Sequence, residues 1–276
     1  MSAPTLVSLV RRWSVDWLNG QHPEVCEQIL APEYNLLIGG YVLGPRQDYI
    51  PATLVQLGRY PGLVVTAHHL VCSQDRVALV FSEHGASTRL EGRSAAWSGV
   101  AIFRWDGQVL TGCMAEEDYY GRRRQLGDGR PDQVDRPMVA PWDQRAGRPD
   151  AAAEQVVRDW LAGPDLRGAP VVCDDEGTGQ LATRLLEVES CRIDELFSSG
   201  NQVAFHAFHA GQSGHYLGGL EGLDDLVGRS AAIELAGLVT VRDGRIVAGR
   251  VVRDRLGTAR TLRAQAAVVP ALGSAT

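Results

Sequence analysis

The chain has no lysine: all 27 of its basic residues are arginine. That excludes a Schiff-base lysine. Cysteine is scarce, with five in 276 residues. Cys26, Cys72, Cys113, Cys173 and Cys191 are scattered, odd in number and without CxxC spacing. Neither a zinc site nor a disulfide framework is indicated, and buried or half-buried thiols are expected. No apolar run approaches a membrane span. No signal-peptide core precedes Arg11 and Arg12, which points to a cytoplasmic protein. The net charge of −6 offers no basic face for nucleic acid. No phosphate loop, nucleotide fingerprint or metal constellation is visible, and no cofactor is expected. Gly218-Gly219 lack the strand-then-helix context such a fingerprint requires.

What the chain does have is a repeat. Arg93-Ser-Ala-Ala leads through an apolar run to Asp106-Gly107 and a strand-like stretch ending at Asp118. Arg229-Ser-Ala-Ala leads in the same way to Asp243-Gly244 and Asp254. The openings also match: Val15 to Gly20 reads like Val157 to Gly163, apart from one inserted residue. The period is far longer than a solenoid repeat, so this is a domain duplication. It divides the chain into a first domain (1–127), a linker (128–150, rich in Gly, Pro, Asp and Arg) and a second domain (151–276).

Leu6, Leu9, Val10, Trp13 and Trp17 recur at helical spacing up to Gly20, which predicts a first helix. A short second helix starts at Pro23 and ends before Pro32, and a third covers Pro45 to Leu57, kinked or restarted at Pro51. Strands follow at Val64–Cys72, Arg76–His84, Trp97–Trp105 and Gln108–Asp118. Asp106-Gly107 between two apolar runs is a strong hairpin signal. The second half predicts a helix through Val156, Val157, Trp160 and Leu161. Strands then follow at Leu185–Ile193, Gln202–Ala210, Ala231–Val241 and Arg245–Asp254. The part from Gly163 to Leu181 shows no clear equivalent of the second and third helices, and the tail from Ala264 is expected to fray. Helices followed by an antiparallel meander predict an α+β class.

Asp118-Tyr119-Tyr120-Gly121, then Arg122-Arg123-Arg124-Gln125-Leu126-Gly127, resembles the D-x-x-G-x-x-x-Q-L-G ending of SnoaL-like polyketide cyclases. Ala31-Pro32-Glu33-Tyr34 and Gly44-Pro45 resemble further motifs of that family. The resemblance covers residues 8–127 well and 151–262 more weakly. It implies two tandem nuclear-transport-factor-like domains, each a curled sheet around an apolar cone with helices packed on it. The family pairs through its sheets, so the two halves are expected to form a pseudo-dimer within one chain, open to further homodimerisation.

The resemblance places Asp118 at the family's acid–base aspartate. A carboxylate at an apolar mouth suits proton transfer beside a carbonyl; it can equally be a rim residue capping the next turn. Glu116 shares strand parity with Asp118, and Glu117 points the other way. Met114 stands where the family usually has a tryptophan or another large polar-capable residue. His84 and Ser82 share one face, with Glu83 on the other. Of the neighbours His68 and His69, only one can face the pocket. A strand histidine is more often a structural residue than a proton shuttle. Tyr34 is a candidate hydrogen-bond donor to an enolate, or a half-buried core tyrosine. The candidate catalytic residues are therefore Asp118, His84, Tyr34 and Glu116. Trp97, Met114, His68 and Phe81 are candidates for substrate contact.

In the second half Asp254 replaces Asp118, with Arg250 on the same face, and that half is expected to be structural. The expected function is a cofactor-independent polyketide cyclase or isomerase acting on an apolar, polyketide-like small molecule. One alternative is an epoxide hydrolase or epoxide-opening cyclase of the polyether kind. Another is a non-catalytic binding or scaffold protein.

Overall fold

The structure is a computed structural model, and it describes residues 5–164, 166, 168–174, 185–214, 223 and 226–268. Helix α1 (Leu6–Arg11) is opened by a capping box between Thr5 and Ser8 and widens into π-helical turns over Arg12–Asn19. Its apolar stripe, including Trp13 and Trp17, is buried. Helix α2 (Glu24–Ile29) runs straight into strand β1 (Leu30–Ile38), so Ala31-Pro32-Glu33-Tyr34 lies in a strand. A short β2 (Tyr41–Leu43) folds back on β1. Helix α3 (Arg46–Arg59) continues through Pro51.

The meander then follows: β3 (Val64–Cys72), β4 (Arg76–Ala86), β5 (Ser94–Trp105) and β6 (Leu110–Glu117). Sheet order is β2-β1-β6-β5-β4-β3, with β1 parallel to β6 and the rest antiparallel. Asp118 closes the strand and caps helix α4 (Tyr119–Asp128), a helix the sequence reading treated only as a turn.

Residues 129–150 run along the open side of β3. Met138 and Gly147 donate backbone hydrogen bonds to Ala67 and Cys72. Met138 and Trp142 pack on the first core. The connecting segment thus covers an edge strand that would otherwise present unpaired backbone groups.

The second half begins with α5 (Ala151–Leu161), capped by Asp150. Its sheet has the order β7-β11-β10-β9-β8. The strands are β7 (Val171–Cys173), β8 (Leu186–Ser199), β9 (Gln202–Ser213), β10 (Ser230–Arg242) and β11 (Arg245–Arg253). Strand β7 pairs parallel to β11 as β1 pairs parallel to β6, a counterpart the sequence reading missed in that interval. Asp243 and Gly244 both take positive φ between paired Arg242 and Arg245, the tight primed turn expected of Asp-Gly. Helix α6 (Arg255–Val268) takes in Ala264, which the sequence reading assigned to a fraying tail. The tail beyond it, Gly218-Gly219 and Leu181 lie outside the described residues.

The result is an α+β protein with two mixed sheets. One apolar core lies between the first sheet and α1–α3, and a second lies beneath α5 and α6. A third fills the space between the sheets, where Val80, Val100 and Ile102 of the first meet Phe197, Leu238 and Val252 of the second. Among the described residues, no helix is long and apolar enough to cross a membrane.

Candidate functional site

Both faces of β4 and β5 at the middle of the first sheet are buried, and alternation along each strand sends neighbours to different surroundings. On β4, Val77, Leu79 and Phe81 face the helices, whereas Ala78 and Val80 face the second sheet. The same parity carries Glu83 to the helix side and Ser82 and His84 to the other. In register, Glu83 lies opposite Trp97, and Gly99 lies opposite Glu117. Gly99 also sits beside Phe81, whose ring would meet any added Cβ at 2.3 Å. Glu83, Trp97 and Glu117 therefore converge on the helix side of the sheet.

Glu83 is 6% exposed, and its Oε2 has no hydrogen-bond partner. Burial first, then the neighbouring Glu117 charge, holds its carboxyl well above the usual range. The Glu117 carboxyl is also raised by burial, against the opposing pull of Trp97, Arg122 and Tyr119. Two such groups in contact cannot both ionise. Both carboxyls are pushed up by burial, and Glu117 also accepts from Trp97 Nε1 at 2.8 Å. Arg122, from the first turn of α4, closes the group. Its guanidinium lies 4.3, 4.9 and 5.3 Å from the ring centres of Tyr119, Trp97 and Tyr60. Arg122 Nη1 is buried and has no hydrogen-bond partner. A buried acceptor on Glu83 and a buried donor on Arg122 thus stand in one aromatic box.

The space between the first sheet and its helices is occupied by the protein itself. Trp13 stacks edge-on against Phe103, and Tyr34 against Tyr49. Tyr49 Oη accepts from both Trp13 and Trp17. Where the resemblance implies an apolar pocket inside the curled sheet, packed aromatic rings fill this space.

Of the sequence candidates, Trp97 enters the carboxyl box, and Phe81 is core beneath it. Tyr34 is fully buried, its hydroxyl held far above its usual pKa by burial. Glu116 and Asp118 do share a face, but it is the face toward the second half. Asp118 is fully buried; it accepts from Gly121 N at 2.9 Å and from Arg255 Nη2 of the second half at 2.5 Å. Glu116 accepts from Gly39 N at 3.1 Å and stands 3.3 Å from His206 Nε2. Met114 follows the same parity. The carboxylates that point inward are Glu117 and Glu83, the two assigned the opposite side from Asp118 and His84 in the sequence reading.

His68 and His84 meet on that outer face as well. Ser82 Oγ lies 2.7 Å from Nε2 of each, and burial lowers both imidazole pKa values. A bulge between Ala67 and His69 breaks the alternation of β3. His69 consequently also points outward, to Gln202 of the second half, and with His68, Asp135 and Arg250 it lines a cleft of about 290 Å³ between the halves. Neither histidine faces the helix side of the sheet.

The second half does not repeat the carboxyl box. With Arg93 matched to Arg229, the positions of Trp97, Glu117 and Arg122 are filled by Ile233, Arg253 and Thr258, and His209 lies opposite Ile233 as Glu83 lies opposite Trp97. Arg253 is buried against Asp174 at 2.6 Å.

No protein-family model and no curated protein matches the chain. Solved structures similar to it include SnoaL-like polyketide cyclases and ketosteroid-isomerase-like folds. A protein described as a polyketide cyclase from Acidithiobacillus ferrooxidans is 20% identical over 47% of this chain and 99% of its own, with a TM-score of 0.40. One described as a SnoaL-like polyketide cyclase from a Jannaschia species is 15% identical over 44% of this chain and 90% of its own, at 0.41. A protein of ketosteroid-isomerase-like fold from Catenulispora acidiphila, in complex with trimethylamine, is 16% identical over 46% and 95%, at 0.40.

Proposed function

We propose that the first half is a cofactor-independent acid–base catalyst acting on a small carbonyl compound at the mouth of its cone, in isomerisation or ring-forming chemistry. The observation that carries this reading is the pair of neighbouring buried carboxyls Glu83 and Glu117, both raised by burial, with a buried, unpartnered oxygen on Glu83. A proton leaving the carbon beside the carbonyl goes to Glu83 Oε2. The proton Glu83 already holds passes to Glu117, so the pair takes up one proton in all. Arg122 Nη1 donates to the enolate oxygen that forms and balances its charge. Reprotonation at another carbon gives an isomer; attack of the enolate carbon on a second carbonyl closes a ring. On this reading the acid–base role falls to Glu83 and Glu117, and Asp118 holds the halves together. The second half lacks the pair and serves as a structural partner.

Deuterium exchange at the acidic carbon of a panel of 1,3-diketones, followed by NMR, tests the proposal. Catalysed exchange that falls at least a hundredfold in Glu117→Gln and persists in Asp118→Asn is expected. Exchange no faster than in buffer for every member of the panel would sink it. The rival reading, a non-catalytic scaffold, is favoured by one observation: the space between the first sheet and its helices is packed with the protein's own aromatic rings. The epoxide-opening alternative would use the same pair, and oxygen-18 incorporation from water into the product separates hydrolysis from enolate chemistry.

A further inference from the structure

A second polar cluster lies between the halves, on the opposite face of the first sheet from the carboxyl box, and it owes nothing to the reading above. Glu116 comes from the end of β6, His206 from β9 and Glu234 from β10. One ligand atom from each lies within 4.8 Å of the other two. Ligands bound ~2.1 Å from a single ion sit roughly 3.4 Å apart in a tetrahedron, so closure asks for rotamer adjustment and not for a new fold.

The imidazole makes the cluster more than a group of acids. His206 is fully buried, with Nε2 facing Glu116 at 3.3 Å and Nδ1 facing Asp194 at 3.4 Å. A neutral imidazole has one N–H to donate, yet an acidic side chain stands at each ring nitrogen. Nδ1 makes no hydrogen bond, and neither does Glu234 Oε2. A bound cation would resolve the conflict: Nε2 would ligate through its lone pair, Glu116 and Glu234 would each supply an oxygen, and Nδ1–H would turn to Asp194. That carboxylate–histidine–metal arrangement is how metal-binding histidines are usually oriented. Arg192 reaches Glu234 at 3.9 Å but is engaged more closely by Asp194 at 2.6 Å, so it neutralises the cluster only in part. Glu234 and Asp194, 12% and 17% exposed, give an ion a path in from the edge.

We propose that Glu116, His206 and Glu234 form a site for one divalent first-row metal ion that ties the two halves together, with Asp194 orienting the histidine. One imidazole nitrogen and two carboxylate oxygens suit zinc, manganese, iron(II) or cobalt(II) better than calcium or a soft thiolate-preferring ion.

The test uses the full chain stripped with a chelator and titrated with cobalt(II), zinc(II) and manganese(II). Binding is read by calorimetry and by the visible absorption of bound cobalt. One equivalent per chain is expected, with affinity falling at least tenfold in His206→Ala and in Glu116→Gln. If either variant fails to fold, Glu234→Gln, at the partly exposed edge, supplies the same reading. Zinc is also expected to raise the melting temperature of the native chain. No binding at a hundredfold excess of all three ions overturns the proposal, as does binding that none of the substitutions weakens.

Discussion

Glu83 links stability and chemistry in opposite ways. Its carboxyl is raised in the folded chain, so between its ordinary value of 4.5 and that raised value the folded state holds a proton the unfolded state has released. Stability from this group is complete below the ordinary carboxylate range and is lost as pH rises through the raised value. The melting temperature should therefore fall on raising the pH through that window. In Glu83→Gln, which stays neutral in the same place, the fall should be shallower, while exchange activity is lost. An equally steep fall in the variant would assign the slope to other groups. The thiols offer a second prediction. Burial pushes Cys26 up to about 12 and Cys72 up to about 11, and Cys113 and Cys173 are also buried. Reaction needs the thiolate. Burial and Asp194 raise the Cys191 thiol too, but it alone is partly exposed, so of the five cysteines it should react first with a disulfide reagent in the native chain, and all five should react in denaturant. Two or more fast native thiols would contradict this packing.

The segment from β6 into α4 shows how one element serves both sides of a sheet. Glu117 faces the first core, Asp118 faces the second half and caps α4, and Tyr119 and Arg122 return to the box. Asp118→Asn keeps a capping oxygen but leaves the buried Arg255 guanidinium without its carboxylate. Breaking a buried pair on one side costs about 3–5 kcal/mol. Urea unfolding should report a loss of that size with Glu83–Glu117 chemistry retained. A loss within the error of the method would mean that Arg255 finds sufficient charge in Asp174, 3.4 Å away. The alternation of this strand was readable from the residues, since Glu116 and Asp118 do lie together and Glu117 does lie opposite. The side on which each group finds itself was not, because an alternating strand buried on both faces gives no polar face to orient it. The bulge in β3 defeated the same logic for His68 and His69.

Across the whole molecule, the apolar layer between the sheets decides what each half is without the other. Val80, Val100 and Ile102 need Phe197, Leu238 and Val252 as cover. Glu195, 5% exposed, binds both Arg76 and Arg104 from across that layer. Residues 1–127 produced alone should expose this face and self-associate, which size-exclusion chromatography with light scattering would reveal. A monodisperse, stable monomer would mean the layer is dispensable. The α+β order and both Asp-Gly hairpins were legible because each rests on local spacing and local turn chemistry. So were the apolar stripes of α1 and α5. Three outcomes had no local signal: the aromatic filling between the first sheet and its helices, the Glu83–Glu117 pair and the Glu116–His206–Glu234 cluster. Each joins residues tens of positions apart. Their meeting depends on strand register, on a bulge and on which face of the first sheet the second half covers. Composition and periodicity set which residues alternate; only the packing of one sheet on the other set which of them meet as buried carboxyls and which face an opposing module.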